Sequence, residues 1–68
     1  MPDTDDRQIL AHIGKDGVGV RRGDKVVDQR GRQGTVSELK DFADEWGLYL
    51  LDARGETFWR MPRELELA

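Results

Sequence analysis

The sequence predicts a mainly β fold: a small antiparallel barrel of about five strands over residues 18–68, preceded by a short helix and link over residues 1–17. Three observations carry that expectation. From Val18 onward the apolar residues fall in short β-branched or aromatic runs, Val18–Val20, Lys25–Asp28, Gly34–Leu39, Leu48–Ala53 and Thr57–Met61. Turn-forming clusters separate these runs at spacings typical of small sandwiches and barrels: Arg22-Gly23-Asp24, Arg30 to Gly34, Trp46-Gly47 and Arg54-Gly55-Glu56. Proline occurs only at Pro2 and Pro62, so no expected central strand loses a ladder donor.

The first expected element is a helix over residues 4–13. Thr4 or Asp3 would cap it, and Asp5 and Asp6 would sit in its first turn, where the dipole favours negative charge. Ile9, Leu10 and Ile13 would form one apolar stripe. Gly14 would supply the left-handed stop, with His12 and Lys15 at the favourable end. So short a helix is marginal in water, so the stripe needs a docking surface in its own chain or in another. A competing reading makes Ile9–Ile13 one arm of a hairpin turned at Lys15-Asp16-Gly17. At the other end, Pro62 opens a single helical turn and Glu66-Leu67 forms a last short strand. The chain reads as having no internal repeat and no low-complexity tract.

Composition narrows the class. With 68 residues the chain is at most one domain, and one of that size buries only about 60% of the surface its unfolded chain exposes. It has no cysteine, so disulfides and thiolate metal sites are absent. The N-terminal stretch Met1–Asp6 is acidic and lacks an apolar core, no run approaches a membrane-spanning length, and the expected location is cytoplasmic. The net charge of −3 disfavours general affinity for polyanions. Its distribution is uneven: Arg21, Arg22, Lys25, Arg30 and Arg32 outweigh Asp24 and Asp28, whereas Glu38, Asp41, Asp44 and Glu45 outweigh Lys40.

Gly23-Asp24, Val26, Gly31, Gly34 and Val36 give the order Gly-Asp, alternating strand, glycine-bearing turn and Gly-x-Val. This order resembles the SH3-like small β-barrels, in particular the KOW-type pattern, and short uncharacterised bacterial proteins of that kind look closest. Thr57–Leu67 resembles the closing strand, tight turn and last strand of such barrels. The resemblance covers about residues 20–68. It implies the barrel fold and a binding role, with RNA, ribosomal partners, peptides, modified tails and enzyme subunits all represented among such barrels. The first turn is short here, and its usual lysine-rich character is reduced to Arg30 and Arg32.

Nothing in the sequence assembles a catalytic site, a cofactor site or a metal site. His12 is the only histidine and reads as a surface or helix-end residue, and with Ser37 the only serine no Ser/His/Asp set assembles. Asp41, Asp44 and Glu45 lack calcium-loop spacing and read as a solvated acidic loop. Gly14, Gly17 and Gly19 lack the strand and helix that a dinucleotide-binding turn requires. Arg22-Gly23-Asp24 spells an integrin-binding tripeptide, but it reads as a turn before a strand.

The aromatic residues carry more. Phe58 and Trp59 are adjacent in an expected strand and therefore face opposite ways. The phase chosen places Trp59 and Met61 in the core with Val26, Val36, Leu50 and Leu65. It leaves Tyr49, Phe58 and Arg60 on the outside, and a one-residue slip reverses it. The expected function is a small non-enzymatic protein-interaction module, self-association included, with Tyr49, Phe58, Arg60, Ile9, Leu10 and Ile13 as contact residues. The alternative is a nucleic-acid-binding module that uses Arg21, Arg22, Lys25, Arg30 and Arg32.

Overall fold

The computed structural model describes residues 8–68, and they form two antiparallel sheets with no closed barrel. The chain runs β1 (Ile9–Ile13), β2 (Val18–Arg21), β3 (Lys25–Val27), β4 (Gln33–Phe42), β5 (Glu45–Leu51), β6 (Thr57–Arg60), one 3₁₀ turn (Pro62–Glu64) and β7 (Glu66–Leu67). β1 and β2 make a separate two-stranded sheet, and the other five strands make a sheet in the order β6-β5-β4-β3-β7. The fold is thus mainly β, as the short apolar runs require, and is compatible with an SH3-like arrangement. Among the described residues no helix is long and apolar enough to cross a membrane.

The N-terminal helix is not found. Ile9–Ile13 is a strand, and residues 4–7 of the expected helix lie outside the described residues. Two of the three stripe residues are β-branched isoleucines, which fit a pleated strand better than a helix. The strand also gains a partner, because Ala11, His12 and Ile13 pair with Val20, Gly19 and Val18. Gly14 and Gly17, both at positive φ, turn the chain between them. The competing hairpin reading is the one observed.

One core serves both sheets. Ile13 from β1, Val20 from β2, Val26, Val36, Leu48, Leu50, Phe58 and Leu65 are all buried, with Leu10 and Ala11 packed against them. Of the expected core, Val26, Val36, Leu50 and Leu65 are buried, whereas Trp59 and Met61 are half-buried. The reason is register. Leu50 pairs with Phe58 and Tyr49 with Trp59, so Phe58 shares the inner face of Leu50 and Trp59 lies on the outer face. The alternation was right and its phase was inverted.

The turn between β4 and β5 also differs from expectation. It falls at Ala43-Asp44, both in the left-handed region, and Trp46-Gly47 lies within β5. Asp41 and Glu45 accordingly stand on strands, with only Asp44 of that acidic group in the turn. Pro62 opens its 3₁₀ turn as expected, and β7 then pairs with β3 through Val26–Leu67 and Val27–Glu66.

Candidate functional site

The outer face of the β4–β5–β6 ribbon carries an aromatic cluster. Trp59 lies across Gly47, where an added Cβ would stand 2.3 Å from the indole ring. That absence of a side chain on β5 lets the ring lie flat and reach the next strand. Its Nε1–H donates to the carbonyl of Lys40 at 3.0 Å. Phe42 meets the indole edge-on, with ring centroids 5.7 Å apart. Tyr49 is the direct cross-strand neighbour of Trp59 and is half-buried. The indole is therefore fixed on three sides while part of it stays open to solvent.

Beside it lies a groove of about 460 Å³ lined by Asp28, Gln29, Arg30, Trp59, Arg60 and Glu64. Its lining combines one aromatic surface with two carboxylates and two guanidinium groups. One wall is formed by the first of two matching loops. In Asp28-Gln29-Arg30-Gly31-Arg32, one oxygen of the Asp28 carboxylate accepts the N–H of Arg30 and of Arg32, each at 2.9 Å. In Asp52-Ala53-Arg54-Gly55-Glu56, one oxygen of Asp52 accepts the N–H of Arg54 and of Glu56, each at 2.9 Å. Each loop closes with the N–H of its glycine donating to the aspartate carbonyl, and each glycine is at positive φ, 86° for Gly31 and 84° for Gly55. The two hairpins are thus shaped by the same Asp-x-Arg-Gly device.

The second carboxylate oxygen of each aspartate takes an arginine from elsewhere. Arg60 Nε donates to Asp28 at 3.1 Å, and Arg32 donates to Asp52 at 2.9 Å. Both guanidinium groups cover the Phe58 ring, at 3.8 Å for Arg32 and 5.1 Å for Arg60. Burial pushes the Asp28 carboxyl up, but the N–H groups of Arg32 and Arg30 and the Arg60 guanidinium outweigh it and hold it below its ordinary value. At Asp52 the bond from Arg32 leads, the Glu56 N–H adds to it, and the carboxyl is likewise held low. Both aspartates are therefore acceptors only at neutral pH.

The residues expected at an interaction surface are dispersed by the fold. Tyr49 and Arg60 border the aromatic cluster and the groove. Phe58 is buried beneath the two arginines, because it shares the face of Leu50. Ile13 is buried in the core, Leu10 is half-buried against it, and Ile9 is exposed on β1. The exposed aromatics Phe42 and Trp46 and the half-buried Trp59 are not among the expected contact residues: Trp46 reads as part of a turn and Trp59 as core. The signal was present in part: a glycine two residues before Tyr49 marks where a neighbouring side chain crosses the strand.

The five basic residues stand on two strands and two turns. Arg32 is held by Asp52 and Phe58, and Arg22 Nε donates to the Ser37 carbonyl at 3.1 Å. Arg30 lines the groove, and Arg21 and Lys25 are exposed on β2 and β3. Asp24 accepts the N–H of Arg21 at 2.8 Å, which makes the Arg22-Gly23-Asp24 tripeptide a tight turn between strands. His12 is exposed on β1.

The fold and this face together define a small mainly β domain, compatible with an SH3-like arrangement, that presents an ordered aromatic surface. No protein-family model, curated protein or solved structure matches the chain.

Proposed function

We propose that this protein is a small non-enzymatic interaction module of SH3-like type that binds a segment of another polypeptide. The observation that carries this is the seating of Trp59. A large aromatic side chain is held flat over Gly47 and bonded to Lys40, yet is only partly covered, beside a groove with charges of both signs. Rigid aromatic surface next to charged groups is the common composition of a protein-binding patch, because its contact area costs little side-chain entropy. Tyr49, Arg60 and Arg30 would be its neighbours in the contact. The nucleic-acid alternative draws less support, since the guanidinium groups of Arg32 and Arg22 already have partners within the fold.

The test is capture of binding proteins by immobilised wild-type protein, compared with Tyr49→Ala and Arg30→Glu, both judged folded by circular dichroism. Loss of the same bound protein in both variants is the expected result. Equal capture by all three would remove this face from consideration. In parallel, a random oligonucleotide pool titrated at two salt concentrations should show no binding at physiological salt. Binding that weakens steeply with salt and disappears in Arg30→Glu would favour the nucleic-acid reading instead.

A further inference from the structure

We propose that the distal half of β4 is a self-pairing edge, through which a second copy of this chain adds to the sheet. β3 covers β4 only along Gln33–Thr35. From Ser37 to Phe42 the strand is exposed, and among the described residues no strand lies on that side of it. The two-residue turn at Ala43-Asp44 makes Phe42–Glu45 the closing hydrogen-bonded pair of the hairpin. Alternation back from that pair leaves Lys40 and Glu38 bonding toward β5, and turns the N–H and C=O of Leu39 and Asp41 to the open edge.

The sequence of this edge is complementary to itself in one register. An antiparallel ladder pairs residues whose main-chain groups both point at the partner, or both away from it. A two-fold axis must therefore pass through a residue position, not between two. Centred on Lys40, the pairing sets Lys40 against Lys40. Centred on Glu38 or Asp41, it sets like carboxylates together. Centred on Leu39, it gives two reciprocal main-chain hydrogen bonds between the Leu39 residues of the two copies. On both sides it places Glu38 opposite Lys40 of the second copy, in the closely spaced pairs where side chains approach most. Among the described residues neither Glu38 nor Lys40 has an ion-pair partner within the chain. The same register keeps Leu39 and Trp46, which are 38% and 61% exposed, on one face of the joined sheet, and the Trp59 clusters of both copies on the other. The contact is isologous, so it closes at two copies.

The joint is made at the main-chain edge of β4, where Lys40 and Phe42 adjoin the Trp59 cluster, and it is read by mass, so sedimentation tests it separately from the capture of another polypeptide. The experiment is sedimentation equilibrium of the full chain up to about 1 mM, the concentration at which even a weak pairing is populated. A concentration-dependent dimer that weakens with added salt is expected. Lys40→Glu and Glu38→Lys, each of which puts two like-charged pairs in the joint, should weaken it by about tenfold or more. The double exchange Glu38→Lys/Lys40→Glu restores both pairs and should return the dissociation constant to within about threefold of wild type. A wild-type chain that stays monomeric throughout overturns the proposal. So does a double exchange no tighter than the single variants, because that dimer would not use this register.

Discussion

At the scale of single residues, the side chains that matter most are those with two tasks. Asp28 shapes its own loop with one oxygen and anchors Arg60 with the other. Asp28→Ala would leave two loop N–H groups and a guanidinium without their acceptor, and we expect a loss of about 1–3 kcal/mol in urea denaturation. The pH dependence follows from the same bonds. Asp28 and Asp52 are both held below the ordinary 3.8, so the unfolded chain takes up protons first as the pH falls. Their contribution is complete above that value and is lost on acidification through the lowered folded values. Denaturation midpoints measured from pH 6 down to 2 should decline more gently in Asp28→Asn than in wild type. Gly47 has a task by absence: Gly47→Ala would drive a methyl into the Trp59 ring. We expect a cost of about 1–3 kcal/mol and a changed near-ultraviolet dichroism spectrum as the indole is displaced. The inverted pair Phe58 and Trp59 gives a direct comparison. Phe58→Ala should cost about 3–5 kcal/mol and Trp59→Ala clearly less, since only Phe58 lies in the core.

At the scale of elements, the strands were legible and their phase was not. The runs from Val18 to Leu67 carry β-branched or aromatic residues between turn signals, and each appears as a strand within a few residues of its expected place. Whether Phe58 or Trp59 points inward depends on which residue of β5 it meets, a pairing that no local pattern encodes. The helix expectation failed for a related reason. Three apolar residues in five satisfy a helical stripe and a strand equally, and a bulge between Ile9 and Ala11 blurred the alternation that would have decided. The twin Asp-x-Arg-Gly loops are visible in the sequence only as generic turns, because two pentapeptides too short to form a repeat gain meaning only from their shared geometry. The aromatic face was partly legible, with Tyr49 and Arg60 placed there and Trp59 assigned inward. The β4–β5 turn offers its own prediction. Ala43 sits at φ 52° and Asp44 at φ 70°, where asparagine and glycine are preferred. Replacing the pair by Asn-Gly should raise stability by about 1 kcal/mol, measured as a shifted denaturation midpoint at unchanged slope.

At the scale of the whole molecule, the hairpin of β1 and β2 and the five-stranded sheet stand or fall together. Ile13 and Val20 lie in the same core as Leu50 and Phe58, and Gly14 N–H donates to the carbonyl of Pro62. Ile13→Ala should therefore cost about 2–5 kcal/mol, a large fraction of what a domain this small possesses. Its unfolding should remain a single transition by fluorescence and far-ultraviolet dichroism alike. Two separate transitions would mean that the small sheet is an independent unit.

The pairing of β3 with β7 has a consequence in time. Every other neighbouring pair in the large sheet joins consecutive strands, whereas Ala68 N–H reaches back to the carbonyl of Lys25. On a ribosome adding about 5–20 residues per second, the edge of β3 would wait roughly 2–9 seconds for the strand that covers it. Until then a short valine-bearing edge is bare, and newly made chains on neighbouring ribosomes are the nearest strands available to it. Until β7 is made, β3 is the edge of this sheet, and β7 takes over that position when the fold is complete.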